Sequence, residues 1–515
     1  MKTLSAILLQ LVLLAGCCRP QVTGRVTCDG RGVPGAVVSD GINVAVTNRR
    51  GGYRLESGKE NGYVFLSIPS GYEAGKTGII PDFFRRVGSG RVEKADFVLD
   101  RVDQSRFHIV ACTDIHLTGD AVDKDIPEFR STFLPDIINT VNSLDGPVYG
   151  VCLGDMTTDS KWYVNNFSFP EYLDEMSNLP CPMFHIMGNH DNDRECEGDF
   201  REWETRAEDH YKREIGPDYY SFNAGRWHFL MLDTIITTGP KKDGNPADTY
   251  VGNYGFAYAI DSLQMAWIAK DLALVPKDMG IVVSMHVPYF TVSGLDGGNV
   301  KFRYSASGKH SPDSLLDLLS GYREVQFWGG HHHRSQVFEV SSGMLQHVFP
   351  SVSAVSWKIN DLGGPMLCDD GTPAGYKVFT FEGDSLSWVY KSDYRPVEEC
   401  QCAMYDLGAI PEEYGGRPGT NEVLVNVFDW DPEWKVEVLC DGVPVGIEQI
   451  YGYDPGYLSA RKRTRTLLHR PGSFRETLTV HLFRCRRPVP DSFVEVVLTD
   501  RFGRKFRKTG FDEVK

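Results

Sequence analysis

The chain has 515 residues, which is too long for one ordinary hydrophobic core and therefore favours several domains. Hydrophobic residues make up 41% of it, a share that excludes a disordered or fibrous protein. The formal net charge of -15 argues against a nucleic-acid partner, because such partners are bound by a basic face.

Residues 1–17 have the pattern of an export signal. Lys2 precedes an apolar stretch, Leu4 to Leu14, which Leu14-Ala15-Gly16-Cys17 closes. This ending resembles the lipobox of bacterial lipoproteins. It implies an exported protein of the cell envelope, in the periplasm or at the cell surface, whose lipidated Cys17 contacts a membrane surface. The alternative is a plain cleaved signal peptide in which Cys17 has no role.

Residues 21–100 alternate apolar and polar side chains between Gly and Pro turns, as in 22–26, 32–38 and 47–53. This pattern predicts short antiparallel strands of a sandwich. No residues in this module have the spacing of ligands, so we expect it to be a spacer or a docking platform.

Polar clusters follow apolar runs through the middle of the chain. The runs are 107–112, 148–153, 183–187, 281–285 and 325–328. The clusters are Asp114-Ile115-His116, Gly154-Asp155, Gly188-Asn189-His190-Asp191, His286 and Gly330-His331-His332-His333. Because strand ends of one α/β sheet open onto a common edge, ligand side chains should converge there, enough for two divalent cations and a nucleophilic water.

Helical stretches at 127–142, 200–214 and 262–274 alternate with these strands, which indicates layered α/β packing. Two polar segments, 241–255 and 293–310, are predicted to be long loops where a substrate would enter.

From residue 396 onward strand patterns return, at 422–428, 434–439, 478–482 and 493–498, and predict a second small β-domain. Between Arg461 and Lys508 the chain is rich in Arg and Lys, which form either a solvated surface or a patch facing anionic groups. Among the cysteines, Cys400 could pair with Cys402, or Cys440 with Cys485.

In their order, the clusters D-x-H, G-D, G-N-H-D, H and G-H-x-H resemble those of the calcineurin-like metallophosphoesterase family, over residues 106–395. The resemblance implies a four-layer α/β/β/α sandwich, flanked by two small all-β domains at 21–100 and 396–515. The first resembles the carboxypeptidase-regulatory-like, immunoglobulin-type domain of three-part bacterial enzymes.

The resemblance also implies two metal sites. The first takes Asp114, His116, Asp155 and His333, and the second takes Asp155, Asn189, His286 and His331, while His332 points away. Asp114 and His116 lie two apart, so on an extended segment they would point to one side and could bind a single ion together, whereas by the resemblance His333 goes to the first metal and His331 to the second. Oxygen and imidazole ligands suit Mn, Fe or Zn and do not choose among them.

By the same resemblance His190 is not a ligand but acts on the leaving-group oxygen. The carboxylate that orients it usually stands three residues after the G-D aspartate. That position is Thr158 here and Asp159 comes one later, with Asp191 as an alternative. Purple acid phosphatases carry a tyrosine ligand after the G-D motif, which Met156-Thr157-Thr158 does not supply.

The expected function is hydrolysis of a phosphomonoester or phosphodiester of the cell envelope, by attack of a hydroxide that bridges the two metals. One alternative is a nucleotide phosphodiesterase. Another is a binding or adhesion protein whose phosphoesterase core is inactive.

Overall fold

A computed structural model describes residues 21–122, 124–196, 203–240, 254–305, 313–357, 366–467 and 475–514, and every structural statement below concerns these ranges. The predicted signal at 1–17 lies outside them. No described helix is both long and apolar enough to cross a bilayer.

The N-terminal module consists of two sheets. The strands of the first are Gln21–Cys28, Arg31–Gly32, Gly52–Glu56, Tyr72–Ala74, Val92–Lys94 and Phe97–Arg101. Those of the second are Val37–Ser39, Val44–Val46, Tyr63–Ser67 and Phe84–Arg86. A short pair, Lys76–Thr77 with Ile80–Pro81, lies beside them.

This module packs firmly against the central domain. The Trp267 indole nitrogen donates to Ser39 Oγ over 3.1 Å, and the Tyr219 hydroxyl donates to the Gly41 carbonyl over 2.8 Å. Phe65 of the module and Trp267 meet edge to face, with ring centroids 5.8 Å apart. The two parts therefore share one hydrophobic core.

Two sheets form the centre of the molecule. The first has the strand order Met183–His185, Val148–Cys152, Arg106–Cys112, Gly375–Glu382 and Ser385–Ser392. The second has the order Tyr220–Ala224, Trp227–Leu232, Gly280–Met285, Glu324–Gly329, Met344–Val348 and Gln336–Ser341. In both, the inner strands that lead to the polar clusters run parallel.

Side chains along each strand point alternately to the two faces of the sheet, and this explains how the sheets and helices form layers. Phe107 and Ile109 face the core between the sheets, whereas Val110 and Cys112 face the helices outside. On the inner face Phe107 stacks on its cross-strand neighbour Phe381 at 4.6 Å, and Phe229 of the second sheet meets Phe381 with centroids 5.6 Å apart. The outer helices are Asp125–Ser131, Phe133–Ser143, Trp162–Asn165, Phe169–Glu175, Trp203–Glu214, Ser262–Leu272 and Asp313–Leu319. The predicted four-layer α/β/β/α fold is confirmed.

The prediction of a polar loop over 293–310 was wrong for its first part. Strands Phe290–Asp296 and Asn299–Tyr304 form a hairpin there, turned by two glycines in the left-handed region, Gly297 and Gly298. Phe290 and Phe302 pack with centroids 5.3 Å apart. The Gly-Gly pair between apolar alternations is a hairpin signal that outweighs the polar composition. A second hairpin joins Ile235–Pro240 to Tyr254–Tyr258, and most of the other predicted loop lies outside the described residues.

The C-terminal domain is built from two four-stranded sheets and one helix. The sheets contain Cys402–Asp406, Glu422–Val427, Thr479–Arg486 and Ile447–Gly452, and Val443–Val445, Lys435–Cys440, Val494–Thr499 and Lys505–Thr509. The helix Pro455–Leu467 was not predicted. The described cysteines, including Cys400, Cys402, Cys440 and Cys485, are free and buried, so neither possible disulfide is formed.

The basic stretch of this domain is largely paired with carboxylates. Arg461 contacts Glu476 at 2.6 Å, Arg487 contacts Asp406 at 2.7 Å, and Arg501 contacts Asp431 at 2.8 Å. Such pairing favours a solvated surface over an open cationic patch.

Candidate metal centre

The polar clusters of the sequence meet at one edge of the two central sheets. Each follows the carboxyl end of a parallel strand, and Asp114 and Asp155 come from the first sheet while His286 and His333 come from the second. This is the edge where open α/β sheets place ligand sites.

The first donor group surrounds Asp114. The distance from His333 Nε2 to Asp114 Oδ1 is 3.2 Å, and His116 Nε2 lies 3.1 Å from His333 Nε2. Asp114 Oδ2 accepts from Thr113 Oγ1 and from the His331 amide, but buried Oδ1 has no hydrogen-bond partner. A buried carboxylate oxygen that faces only imidazole nitrogens fits a bound cation, since a lone buried charge is otherwise costly.

The second donor group surrounds His286. Its Nε2 lies 3.2 Å from Asp155 Oδ2 and 3.2 Å from Asn189 Oδ1, while its Nδ1 faces the Leu153 carbonyl at 2.8 Å. The Leu153 carbonyl accepts a hydrogen bond from Nδ1, which leaves Nε2 as the ring atom that faces the oxygens of this group. His331 completes the set, with ligand atoms of Asp155, His286 and His331 all within 4.8 Å of one another.

Asp155 connects the two groups. Its Oδ2 lies 3.5 Å from His116 Nε2 on one side and 3.2 Å from His286 Nε2 on the other. Burial would raise the pKa of this carboxyl, but the imidazoles of His286 and His190 overcome burial and hold its pKa below the usual value. One ionised carboxylate is thus shared between two sets of donors.

The sequence interpretation assumed that the segments with the candidate ligands are extended, but the structure shows that they are not. Asp114, His116, Asp155, His331 and His333 all have left-handed backbones, with φ between 51° and 62°. This conformation costs roughly 1–2 kcal/mol for each residue that has a Cβ, and such strain is typically kept at functional sites. The two members of each pair are brought together by turns and not by strand alternation.

Glycines next to the ligands make this close approach possible. A Cβ on Gly330 would lie 2.0 Å from Thr113 Oγ1 and 2.6 Å from Asp114 Oδ2, and a Cβ on Gly188 would lie 2.2 Å from Asp155 Oδ1. The glycines of the G-N-H-D and G-H-x-H clusters therefore leave room for carboxylate oxygens, while a Cβ on Gly154 of the G-D cluster would lie 2.6 Å from the Gly188 nitrogen and 2.9 Å from His286 Nδ1.

Replacing Gly330 with alanine should lower the free energy of unfolding by about 1–3 kcal/mol, because the new methyl must displace Thr113 and Asp114. The affinity for Mn²⁺ should fall as well, because Asp114 is displaced. Urea denaturation measures the free energy of unfolding, and a Mn²⁺ titration measures the affinity. Gly446→Ala is the control, since a Cβ there meets nothing within 4 Å. Equal effects at both positions would contradict the steric account.

His190 lies beside the first donor group and is oriented by Asp159. Asp159 Oδ1 lies 2.7 Å from His190 Nδ1, and Arg194 Nε donates to the other oxygen of Asp159. Burial would lower the pKa of His190, but Asp155 and Asp159 raise it to about 9. Thr158 instead faces His116 Nδ1 at 3.4 Å.

Asp191, the alternative partner of His190, has another role. Its oxygens accept from the amides of Asp155, Gly188 and Met156 at 2.6, 2.8 and 3.1 Å. It thereby ties the G-D turn to the G-N-H-D turn. Arg194 was missed by sequence reasoning, because an arginine four residues after His190 belongs to no recognisable pattern.

The open cleft at this edge has a volume of about 560 Å³. Among its described lining residues are His116, His190, His333, Lys161 and Trp357. Lys161 Nζ pairs with Asp120 at 3.0 Å. Lys161 and His190 both line the cleft, so groups that can bear a positive charge are present where an anionic group would enter.

A further group of carboxylates lies nearby and was also missed. Oxygens of Glu204, Glu208 and Asp233 lie within 4.8 Å of one another. Burial and then its acidic neighbours raise the pKa of Glu204 to about 10, so this carboxyl keeps its proton at neutral pH. Glu204 accepts from the Thr237 amide and so connects the helix Trp203–Glu214 to the neighbouring hairpin.

Comparison with known proteins gives relatives of low identity. A protein of Arabidopsis thaliana named purple acid phosphatase 15 is 23% identical over 241 residues, which are 42% of this chain and 40% of the relative. The chain thus spans less than half the length of that curated relative. A solved dimetal phosphatase from Danio rerio is 13% identical with a TM-score of 0.33, covering 56% of this chain and 97% of that chain. A purple acid phosphatase from yellow lupin, Lupinus luteus, is 12% identical with a TM-score of 0.37, covering 70% and 67%.

Family models match most of the chain. Residues 107–335 match the calcineurin-like phosphoesterase model, residues 20–102 its N-terminal model, and residues 347–506 its C-terminal model. The interpretation as a metallophosphoesterase is confirmed at the level of the family, while the bacterial type and the nature of the first module stay predictions. The chain belongs to the calcineurin-like phosphoesterase family.

Proposed function

We propose that this protein hydrolyses a phosphomonoester or phosphodiester with two divalent cations. The observation that carries the proposal is the position of Asp155 Oδ2, which lies within 3.5 Å of imidazole nitrogens from both donor groups. A shared carboxylate is the requirement for two cations close enough to act on one phosphate.

The donors divide into two sets. Asp114, His116, Asp155 and His333 would hold one cation, and Asp155, Asn189, His286 and His331 the other. Mixed carboxylate, amide and imidazole ligands suit Mn, Fe or Zn. When bound, such a pair of cations supplies Lewis acidity and lowers the pKa of water.

His190 would act on the leaving group. Asp159 fixes Nδ1 of its ring, and this leaves Nε2 free to deliver a proton to the departing oxygen. Arg194 holds the second oxygen of Asp159, so the carboxylate cannot swing away from the imidazole. The negative charge of Asp159 next to Nδ1 favours the protonated form of the ring.

The substrate and the location are also part of the proposal. The lipobox-like ending at Cys17 supports an exported, lipid-anchored protein whose substrate is a phosphate ester of the cell envelope. The acidic net charge supports a substrate other than a long polynucleotide.

Removal and return of metal test the proposal. Protein stripped with a chelator should hydrolyse neither p-nitrophenyl phosphate nor bis-p-nitrophenyl phosphate. Mn²⁺ should restore activity as about two equivalents bind. A panel of sugar, lipid and nucleotide phosphates would then identify the substrate class. Protein that binds no metal, or that is inactive with two bound, would leave an inactive binding protein as the better interpretation.

A further inference from the structure

The segment directly behind His333 is held by the turn 369–372, which side chains of the C-terminal domain contact in turn. His333 is followed by Arg334 and Ser335, and all three contact the turn 369–372. The Asp369 amide donates to the His333 carbonyl over 3.1 Å. Arg334 Nη2 donates to Asp369 Oδ2 over 2.8 Å, and the Thr477 hydroxyl of the C-terminal domain donates to the same oxygen over 2.7 Å.

Asp370 is the centre of these contacts. Its Oδ2 accepts from the Ser335 amide at 2.7 Å and lies 3.1 Å from His481 Nε2. His481 Nδ1 in turn faces Asn426 Oδ1 at 2.6 Å, and Asn426 Nδ2 donates to the Asp370 carbonyl over 2.8 Å. His481 and Asn426 stand on neighbouring strands of the C-terminal domain.

A third contact comes from Asp429. Its Oδ1 accepts from Ser335 Oγ at 3.2 Å and pairs with Lys377 of the first central sheet. Ser335, Asp370, Asn426, Asp429 and His481 are each at most 1% exposed. A buried network of this kind stabilises one arrangement of the chain when every polar group has a hydrogen-bond partner. Losing one partner leaves another polar group buried and unpaired, which lowers the stability.

Apolar contacts also join the C-terminal domain to the first central sheet, as where Tyr390 meets Phe428 with ring centroids 6.0 Å apart. The polar groups instead converge on the backbone that follows a metal ligand. His333 has a φ of 52°, a conformation that persists only when its surroundings hold it. Its ring is fixed from the other side by a contact of Nδ1 with the Ala354 carbonyl.

We propose that the C-terminal domain positions His333 for metal binding, with His481 as the positioning residue that acts through Asp370 and Ser335. Occupancy of the donor set Asp114, His116, Asp155 and His333 then depends on a domain that contributes no ligand to it. This inference rests on the proposed function, since it takes His333 as a metal ligand.

The test is a titration of the metal-free full chain with Mn²⁺, followed by calorimetry and by electron paramagnetic resonance. His481→Ala should weaken one of the two Mn²⁺-binding events about 10-fold and leave the other unchanged, which is the lower end of the effect of losing a partner that contacts a metal ligand directly. The spectrum should change from a spin-coupled pair to a single Mn²⁺. His481→Gln, which keeps a donor for Asp370, should recover much of the loss.

The matched control is Asp406→Asn. It breaks the contact of Asp406 with Arg487, which is 6% exposed, in the same domain but away from the turn 369–372. It should lower the melting temperature without changing either affinity. If His481→Ala does not fold, Thr477→Val removes only the hydroxyl that reaches Asp369 and should weaken the same single event.

Several outcomes would overturn the inference. One is equal weakening of both Mn²⁺-binding events in His481→Ala. Another is the same selective loss of one event in Asp406→Asn. A third is unchanged Mn²⁺ binding in folded His481→Ala and Thr477→Val. Wild-type protein that binds no Mn²⁺ would overturn the proposed function itself, so the two failures are distinguishable.

Discussion

Asp155→Asn is expected to lose roughly 10³-fold in kcat, because removing the shared charge costs several kcal/mol of transition-state stabilisation. It should also lose high affinity for both cations, since both donor groups face the same oxygen. Initial rates with bis-p-nitrophenyl phosphate and metal content after gel filtration measure the two effects. Other single ligand changes, such as His333→Ala, should remove one cation only.

The control for this prediction is Asp271→Asn. Asp271 is also a buried aspartate of the central domain that contacts a histidine, with 2.8 Å from its Oδ2 to His228 Nε2, but it lies outside both donor groups. This variant should lose stability and keep its activity per folded molecule. Retention of two cations by Asp155→Asn would contradict the assignment of a shared ligand.

His190→Gln is expected to reduce kcat by about 10²–10⁴-fold for esters with an alkyl leaving group, whose oxygen needs a proton as it departs. The loss should be far smaller for p-nitrophenyl esters, because p-nitrophenolate leaves without help. Both cations should remain bound, since His190 belongs to neither proposed donor set. Steady-state rates with a matched alkyl and nitrophenyl pair measure the difference.

His228→Gln serves as the matched control, because it makes the same substitution at a buried histidine away from the cleft. A loss of equal size for both leaving groups in His190→Gln would show that His190 does not act as the proton donor. Loss of bound metal in His190→Gln would indicate instead that His190 is a metal ligand.

The sequence allowed the positions of the candidate ligands at strand ends to be predicted, because apolar runs mark strands and polar clusters mark their ends. Asp114, Asp155, His286 and His333 all lie where this reasoning expected them. Backbone conformation could not be predicted in the same way. A Cβ disfavours the left-handed region, so only tertiary contacts explain why Asp114 and His333 adopt it.

The residues that support the site were beyond prediction for a different reason. His481 and Arg194 contact the site region through carboxylates that are distant along the chain, and no local spacing indicates such contacts. The helix Pro455–Leu467 was overlooked because its many basic residues were interpreted as surface only. Its proline at the first helical position was a usable signal.

The contact between Trp267 and Ser39 has a consequence for where this enzyme could work. Because the N-terminal module and the central domain share a core, they turn together as one block. If Cys17 carries a lipid as proposed, only residues 18–20 separate it from the first strand, a leash of roughly 15 Å. The beginning of the first strand would then stay within that distance of the bilayer surface, so the whole block would be confined to a layer next to the membrane.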